Sequence, residues 1–300
     1  MWVFSVTTVL LTGATGFLGS HLLEALLNKG YQVVILKRST SNTWRIEHLL
    51  KQVVSYDIDC ADLKLAFIEQ QIHVVIHTAC NYGRNGEFSS EIVDTNLMFG
   101  LRLIDASIKY NTNAFVNTDT ILHKNLNTYT LSKKQLVEWL EYKSTSIRVV
   151  NLKIEHMYGE KDDDTKFVPW LIDQLDKGVA EIKLTSGEQL RDFIYIQDVI
   201  SAYLIVLKQS EVLPRFSEFE VGTGCSISVK TFVHKLKDCY ESEYGAIHSG
   251  FSFGKVPLRE GEDMNVKIDN SGLISMGWQP STSIDNGIVK LLQGRLSNLL

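Results

Sequence analysis

Cysteine is scarce in this chain and badly placed for a cross-link. The four in 300 residues, Cys60, Cys80, Cys225 and Cys239, form no CxxC pair and have no histidine at ligand spacing. Reduced thiols of a cytoplasmic protein are expected, and no metal site. Excess positive charge is missing too. Thirty basic against 35 acidic residues leave a formal net charge of −5, which gives no electrostatic footprint for nucleic acid. No apolar run approaches the roughly 18 residues of a membrane span. The apolar start, Met1 to Leu11, lacks a basic stretch and a small-residue cleavage site and leads straight into a glycine-rich turn. It reads as a buried strand, not a signal peptide. Proline is rare, and all four residues (Pro169, Pro214, Pro257 and Pro280) fall in the second half. What remains is an ordinary globular composition, 44% hydrophobic and 22% charged. A chain of this length buries roughly three quarters of its unfolded surface without disulfide or metal support.

The proline-free half alternates apolar runs of strand length, at residues 8–11, 32–36, 73–77, 113–117 and 147–152, with helical periodicity at 18–27, 62–68, 91–109 and 132–142. This pattern predicts an α/β fold: a Rossmann-type, doubly wound parallel sheet with helices on both faces. The less regular second half predicts a smaller C-terminal substrate-binding lobe. The division is placed at 1–160 and 161–300, with some later segments returning to the first domain. Ligands of such sheets bind at the carboxyl ends of the strands.

After the first strand comes Thr12-Gly13-Ala14-Thr15-Gly16-Phe17-Leu18-Gly19, followed by the apolar stripe Leu22, Leu23, Leu26. Glycines between a strand and a helix let backbone amides approach a pyrophosphate, which then faces the helix N-terminus. Gly13, Thr15, Gly16, Phe17, Leu18 and Gly19 are therefore candidate dinucleotide contacts. The second strand ends in Lys37-Arg38-Ser39, and no Asp or Glu occurs between Tyr31 and Arg45. A carboxylate here would suit a ribose 2′-hydroxyl, whereas Arg38, with Ser39, suits a 2′-phosphate. NADP(H) is the expected cofactor; a solvated Lys-Arg pair is the alternative reading. Asp57-Ile58, at the third strand, could meet the adenine.

Tyr129 and Lys133 lie four residues apart, one face of a helix. An ammonium beside a phenol favours the phenolate and is expected to lower the tyrosine pKa. Such a tyrosine exchanges a proton with a carbonyl or alcohol oxygen. Thr118, at the end of the fifth strand, adds a hydroxyl for the same oxygen. His77 is expected to be packed or hydrogen-bonded, and Asn96, in an apolar helix, to make a structural hydrogen bond.

On these residues the chain resembles the extended short-chain dehydrogenases/reductases, a group of nucleotide-sugar epimerases, dehydratases and reductases. The resemblance runs from about Thr8 to about Leu292 and includes Met157-Tyr158-Gly159, 166–169, 187–198, Val221-Gly222-Thr223-Gly224, 259–262 and 276–280. Within the group, 117–120, 154–159 and 187–198 look most like synthases of the CDP-abequose and CDP-paratose type, which reduce a 4-keto group with NADPH in deoxysugar synthesis for surface polysaccharide. The resemblance implies Thr118, Tyr129 and Lys133 as the catalytic triad, with Thr78 and Ala79 lining the cofactor. It also implies Tyr82, Asp119, Thr120, His156, Phe167, Arg191 and Arg259 on the nucleotide-sugar side.

The departures narrow the chemistry. The group's 4,6-dehydratases carry Asp-Glu directly after the triad threonine, where this chain has Asp119-Thr120. A threonine cannot act as that base. Glu160 replaces a frequent proline near where nicotinamide would lie. The reading is therefore a nucleotide-sugar 4-ketoreductase. The rivals are a C4 epimerase with tightly held NAD and a cofactor-sensing binding protein without catalysis. The resemblance also implies a homodimer through a four-helix bundle of the 91–109 and 132–142 helices, with Leu97, Phe99, Leu101, Leu103, Leu136 and Leu140 available either for it or for packing on the sheet.

Overall fold

The computed structural model describes residues 7–296. Two compact units emerge: the chain up to Ile154 together with Ile200–Glu220, and Glu155–Val199 together with the chain from Val221 onward.

In the first unit, β1 (Thr8–Thr12), α1 (Phe17–Asn28), β2 (Gln32–Lys37), β3 (Val54–Asp57), α2 (Lys64–Glu69), β4 (Val74–His77), α3 (Ser89–Val93), α4 (Phe99–Lys109), β5 (Ala114–Thr120), α5 (Thr128–Lys143) and β6 (Arg148–Ile154) alternate as expected. The strands lie side by side in the order β3-β2-β1-β4-β5-β6 in a parallel sheet. The chain thus moves outward from β1 in one direction and returns to its other side with β4. That reversal opens a crevice at the carboxyl ends of β1 and β4, the place where such sheets bind ligands. Both faces are covered. Leu10, Val34, Val75, Phe115 and Val149 pack with Phe99, Leu103, Leu136 and Leu140 of α4 and α5, while the alternate residues Val9, Val33, Val74, Ala114 and Val150 are equally buried. Runs apolar on both faces are what a doubly covered parallel sheet requires.

Two helices differ from the sequence expectation. The continuous helix predicted over 91–109 is interrupted by a π-helical turn, Asp94–Met98, and α5 starts at Thr128, upstream of the predicted 132. Asn127 caps α5, its side chain accepting from the Thr130 amide at 2.9 Å. The helix therefore contains both Tyr129 and Lys133.

The second unit is built from short pieces: β7 (His156–Tyr158), α6 (Phe167–Asp176), β8 (Glu181–Lys183), β9 (Leu190–Arg191) and β10 (Phe193–Tyr195) precede α7 (Ile196–Gln209), in which the unit boundary falls. β11 (Phe216–Val221) returns as the seventh strand of the sheet, beside β6. Then follow β12 (Ile227–Ser228), α8 (Val229–Tyr244), β13 (Gly250–Ser252), α9 (Ser271–Ser275) and α10 (Ile284–Leu296). Three two-stranded ribbons, β7–β10, β9–β12 and β8–β13, replace a large sheet. The β7–β10 ribbon packs on α8 through aromatic contacts, chiefly Phe193 stacked on Phe232 with centroids 3.8 Å apart. Among the described residues no helix is long and apolar enough to cross a membrane.

Candidate active site

The turn after β1 needs its glycines. Gly13 has φ +71°, and a Cβ on it would lie 2.7 Å from the Ala79 amide nitrogen; a Cβ on Gly19 would lie 2.1 Å from the Gly13 carbonyl oxygen. Gly16 caps α1 with no side-chain acceptor, and the first turn holds no acidic residue. Phe17 and Leu18, buried beneath, anchor the helix start. No side chain caps the start of α1, where the helix dipole favours an anion. Thr15 offers its carbonyl to Arg45, 3.4 Å away, a cation beside the turn that sequence reasoning missed.

At the end of β2, Arg38 is exposed and its guanidinium meets no partner among the described residues. Ser39 is differently placed. Its hydroxyl donates to Asp57 Oδ2 at 2.7 Å and its amide donates to Asp59 Oδ2 at 2.9 Å. The hydroxyl holds the Asp57 carboxyl below its usual range, and Ile58 continues the strand pairing through the Lys37 carbonyl. Two carboxylates therefore stand where β2 itself supplies none. β4 ends beside β1: Thr78 donates to the Thr12 carbonyl at 2.7 Å, and Ala79 donates its amide to the Thr12 hydroxyl at 3.4 Å.

Tyr129 and Lys133 project from one face of α5. Tyr129 is half-buried, its ring 4.9 Å from that of Tyr82, and the Arg84 guanidinium lies over the Tyr82 ring at 5.0 Å. Burial raises the Tyr129 pKa well above the ordinary 10, helped by Cys80 and Asp119, while a hydrogen bond from Thr120 and the charge of Arg84 oppose the rise. The expected lowering by Lys133 is thus not what the chain itself produces; desolvation of the phenolate outweighs it. Lys133 is 2% exposed, and its ammonium has no hydrogen bond or ion pair among the described residues. Burial lowers its pKa, against Cys80 and Asp119.

The carboxyl end of β5 carries the remaining groups. Thr118 Oγ1 lies 2.6 Å from Tyr203 Oη. Asp119, fully buried, is paired with Lys134 Nζ at 2.7 Å and touches Asn151. Thr120 is buried. No second carboxylate follows Asp119, and Asp119 itself is held by Lys134. His77 bonds Thr12 through Nδ1 at 2.8 Å. Asn96, in the π-helical turn, accepts from the Asn81 amide at 2.7 Å and donates to the Asn81 carbonyl and to Ser132. Both are structural, as expected.

In the second unit, His156 is exposed, with Nδ1 2.9 Å from the buried Glu155 carboxylate. Phe167 opens α6 and stacks on Trp170. Arg191 is buried and already engaged, meeting Glu262 at 2.5 Å and the carbonyls of Leu190 and Asp263 at 2.7 Å each. Arg259 is exposed, without a side-chain partner among the described residues. Glu160, unexplained by sequence, accepts a 2.6 Å hydrogen bond from Tyr195, and its side chain lies against Gly294 of α10.

Comparison with known proteins places this geometry in a family. Residues 9–222 match the model of the NAD dependent epimerase/dehydratase family. CDP-abequose synthase of Salmonella typhimurium is 34% identical over 295 residues, covering 95% of this chain and 97% of that protein. Among solved structures, UDP-glucose 4-epimerase of Thermotoga maritima with UDP-glucose superposes with a TM-score of 0.83 at 21% identity, over 98% of this chain and 100% of that one. UDP-glucose 4-epimerase of Thermus thermophilus in complex with NAD gives a TM-score of 0.80 at 21% identity, over 96% and 98%. On the family match over residues 9–222 and the 34% identity along nearly the whole chain, the chain is an enzyme of the NAD dependent epimerase/dehydratase family.

Proposed function

We propose that this enzyme reduces the 4-keto group of a nucleotide-linked 4-keto-6-deoxyhexose, with NADPH as hydride donor and a CDP-linked sugar as substrate. The observation that carries the reading is Tyr129, whose burial favours the neutral phenol, one helical turn from the buried Lys133, which has no hydrogen bond or ion pair among the described residues. A neutral phenol is the form that protonates a ketone oxygen as hydride arrives; a phenolate would serve oxidation. Dehydration lacks a base, because Thr120 follows Asp119 and Asp119 is tied to Lys134.

The residues present fit a dinucleotide. A Cβ at Gly13 or Gly19 would clash with the backbone, α1 has no side-chain cap, and Lys133 has no hydrogen-bond partner among the described residues, a place that ribose hydroxyls would fill. When bound, the nicotinamide supplies the hydride. The α1 amides would hold the pyrophosphate, Arg38 the 2′-phosphate, which Ser39 joins only by giving up Asp57 or Asp59, and Asp57 with Ile58 the adenine side. Thr78 and Ala79 line the cofactor, and Lys133 orients its ribose. Thr118 holds the sugar carbonyl oxygen and Tyr129 protonates it. Tyr82, Asp119 and Thr120 border the sugar. His156, Phe167 and Arg259 meet the nucleotide diphosphate; Arg191 joins them only by exchanging Glu262 for phosphate.

A second reading, C4 epimerization with retained NAD, is favoured by the two carboxylates at Ser39, which suit a 2′-hydroxyl. NADPH consumption at 340 nm with CDP-, dTDP-, GDP- and UDP-linked 4-keto-6-deoxy sugars tests both. Consumption with one of them, lost in Tyr129→Phe while NADPH still binds, supports reduction. Purified protein that carries NAD and consumes no NADPH supports epimerization.

A further inference from the structure

The hydroxyl that the catalytic set places on the substrate oxygen is itself held from behind. Thr118 Oγ1 and Tyr203 Oη are 2.6 Å apart, joining residues 85 positions distant. Tyr203 belongs to the part of α7 that lies in the same unit as the sheet. It is 1% exposed, and burial pushes its pKa up, so the phenol keeps its proton. Thr118 is its one hydrogen-bond partner among the described residues.

Two hydroxyls facing each other share one hydrogen bond, and one of the two protons must point elsewhere. A buried phenolic O–H without an acceptor loses the hydration of its unfolded state with no compensation, a cost of about 1–3 kcal/mol. Tyr203 has no other acceptor among the described residues, whereas Thr118 is only half-buried at the open end of β5. Tyr203 therefore donates and Thr118 accepts. We infer that Tyr203 is a positioning residue: its hydrogen bond takes up an acceptor lone pair of Thr118 and turns the Thr118 proton outward, as donor to the substrate oxygen. Without that bond the threonine hydroxyl is free to turn back onto backbone carbonyls, the usual local competitor for threonine side chains.

The inference rests on the proposed role of Thr118, and a double-mutant cycle separates the two. Tyr203→Phe keeps the ring and its packing and removes only the hydroxyl. Its kcat is expected to fall about tenfold, the worth of one hydrogen bond, with KM for NADPH and the thermal unfolding midpoint near wild type. Adding Tyr203→Phe to Thr118→Val is expected to cost nothing more, because residues acting through one another are not additive. A wild-type kcat in Tyr203→Phe, or a double variant whose loss is the product of the two single losses, overturns the inference. A wild-type kcat in Thr118→Val instead overturns the role of Thr118. Crystal structures of wild type and Tyr203→Phe then decide on Tyr203 without any assay. A Thr118 hydroxyl that moves to within hydrogen-bond distance of a backbone carbonyl in the variant supports the inference, and one that keeps its rotamer with no carbonyl in reach overturns it.

Discussion

His77 ends β4 in full burial, flanked by Phe99 and Phe115, with Nδ1 on Thr12 and Nε2 without a hydrogen-bond partner among the described residues. Burial, and then the nearby charge of Lys133, lower its pKa from 6.5 to about 3. The unfolded chain therefore takes up a proton between those values that the folded chain refuses. The stability contributed by neutral His77 is complete above the ordinary pKa and is lost as pH falls from 6.5 towards 3, by at most about 1.4 kcal/mol per pH unit. Urea midpoints measured from pH 7 down to 4.5 are expected to fall less steeply in His77→Gln than in wild type, whatever the variant's stability at pH 7. Parallel curves would remove His77 from the acid response. At this scale the sequence was informative where chemistry depends on spacing alone. Tyr129 and Lys133 share a face because they are four residues apart. The direction of the tyrosine's pKa was not legible, since it depends on burial and on Cys80, Asp119 and Arg84. Those neighbours come from other elements.

The β2–β3 edge illustrates the same limit one level up. Read along β2, the absence of a carboxylate beside Arg38 points to a 2′-phosphate. Parallel pairing, however, sets Lys37 opposite Asp57, and the turn that follows β3 brings Asp59 to the Ser39 amide. Strand order is a property of the sheet, so a local reading of β2 does not contain its neighbour's carboxylates. An exposed carboxylate beside a dianionic phosphate opposes its binding by about 1 kcal/mol, roughly fivefold in affinity. Asp59→Asn is thus expected to strengthen NADPH binding about fivefold while leaving NADH binding little changed, as read by titration calorimetry. An unchanged ratio would place the carboxylate away from the ribose. The glycine turn was fully legible by contrast, because strand, turn and helix are contiguous and the backbone geometry is set within eight residues. The π-helical turn was not: Asn96 is held there by Asn81 and Ser132, and an apolar periodicity carries no sign of that.

For the molecule as a whole, the open question with a physical answer in the structure is self-association. Phe99, Leu103, Leu136 and Leu140, candidates for a bundle between subunits, are spent on the sheet core, and Leu97 and Leu101 pack against it. The apolar surface left on α5 is a different one: Trp139 is 47% and Tyr142 72% exposed, their rings in edge contact at 6.2 Å, with Leu131 about two turns upstream. The outer positions of α4 are Arg102, Asp105 and Lys109. Large exposed aromatics on one helix mark association sites more often than solvated surface, and a net charge of only −5 leaves little repulsion between copies. A homodimer is therefore proposed through the outer face of α5, with Trp139 and Tyr142 as its anchors and charged α4 residues at its rim. Light scattering is expected to give twice the 33.9 kDa chain mass for wild type and the single mass for Trp139→Asp/Tyr142→Asp, with the far-ultraviolet circular dichroism of the two unchanged. Wild type at the single mass would refute the dimer. A double variant that stays dimeric would instead move the interface off α5.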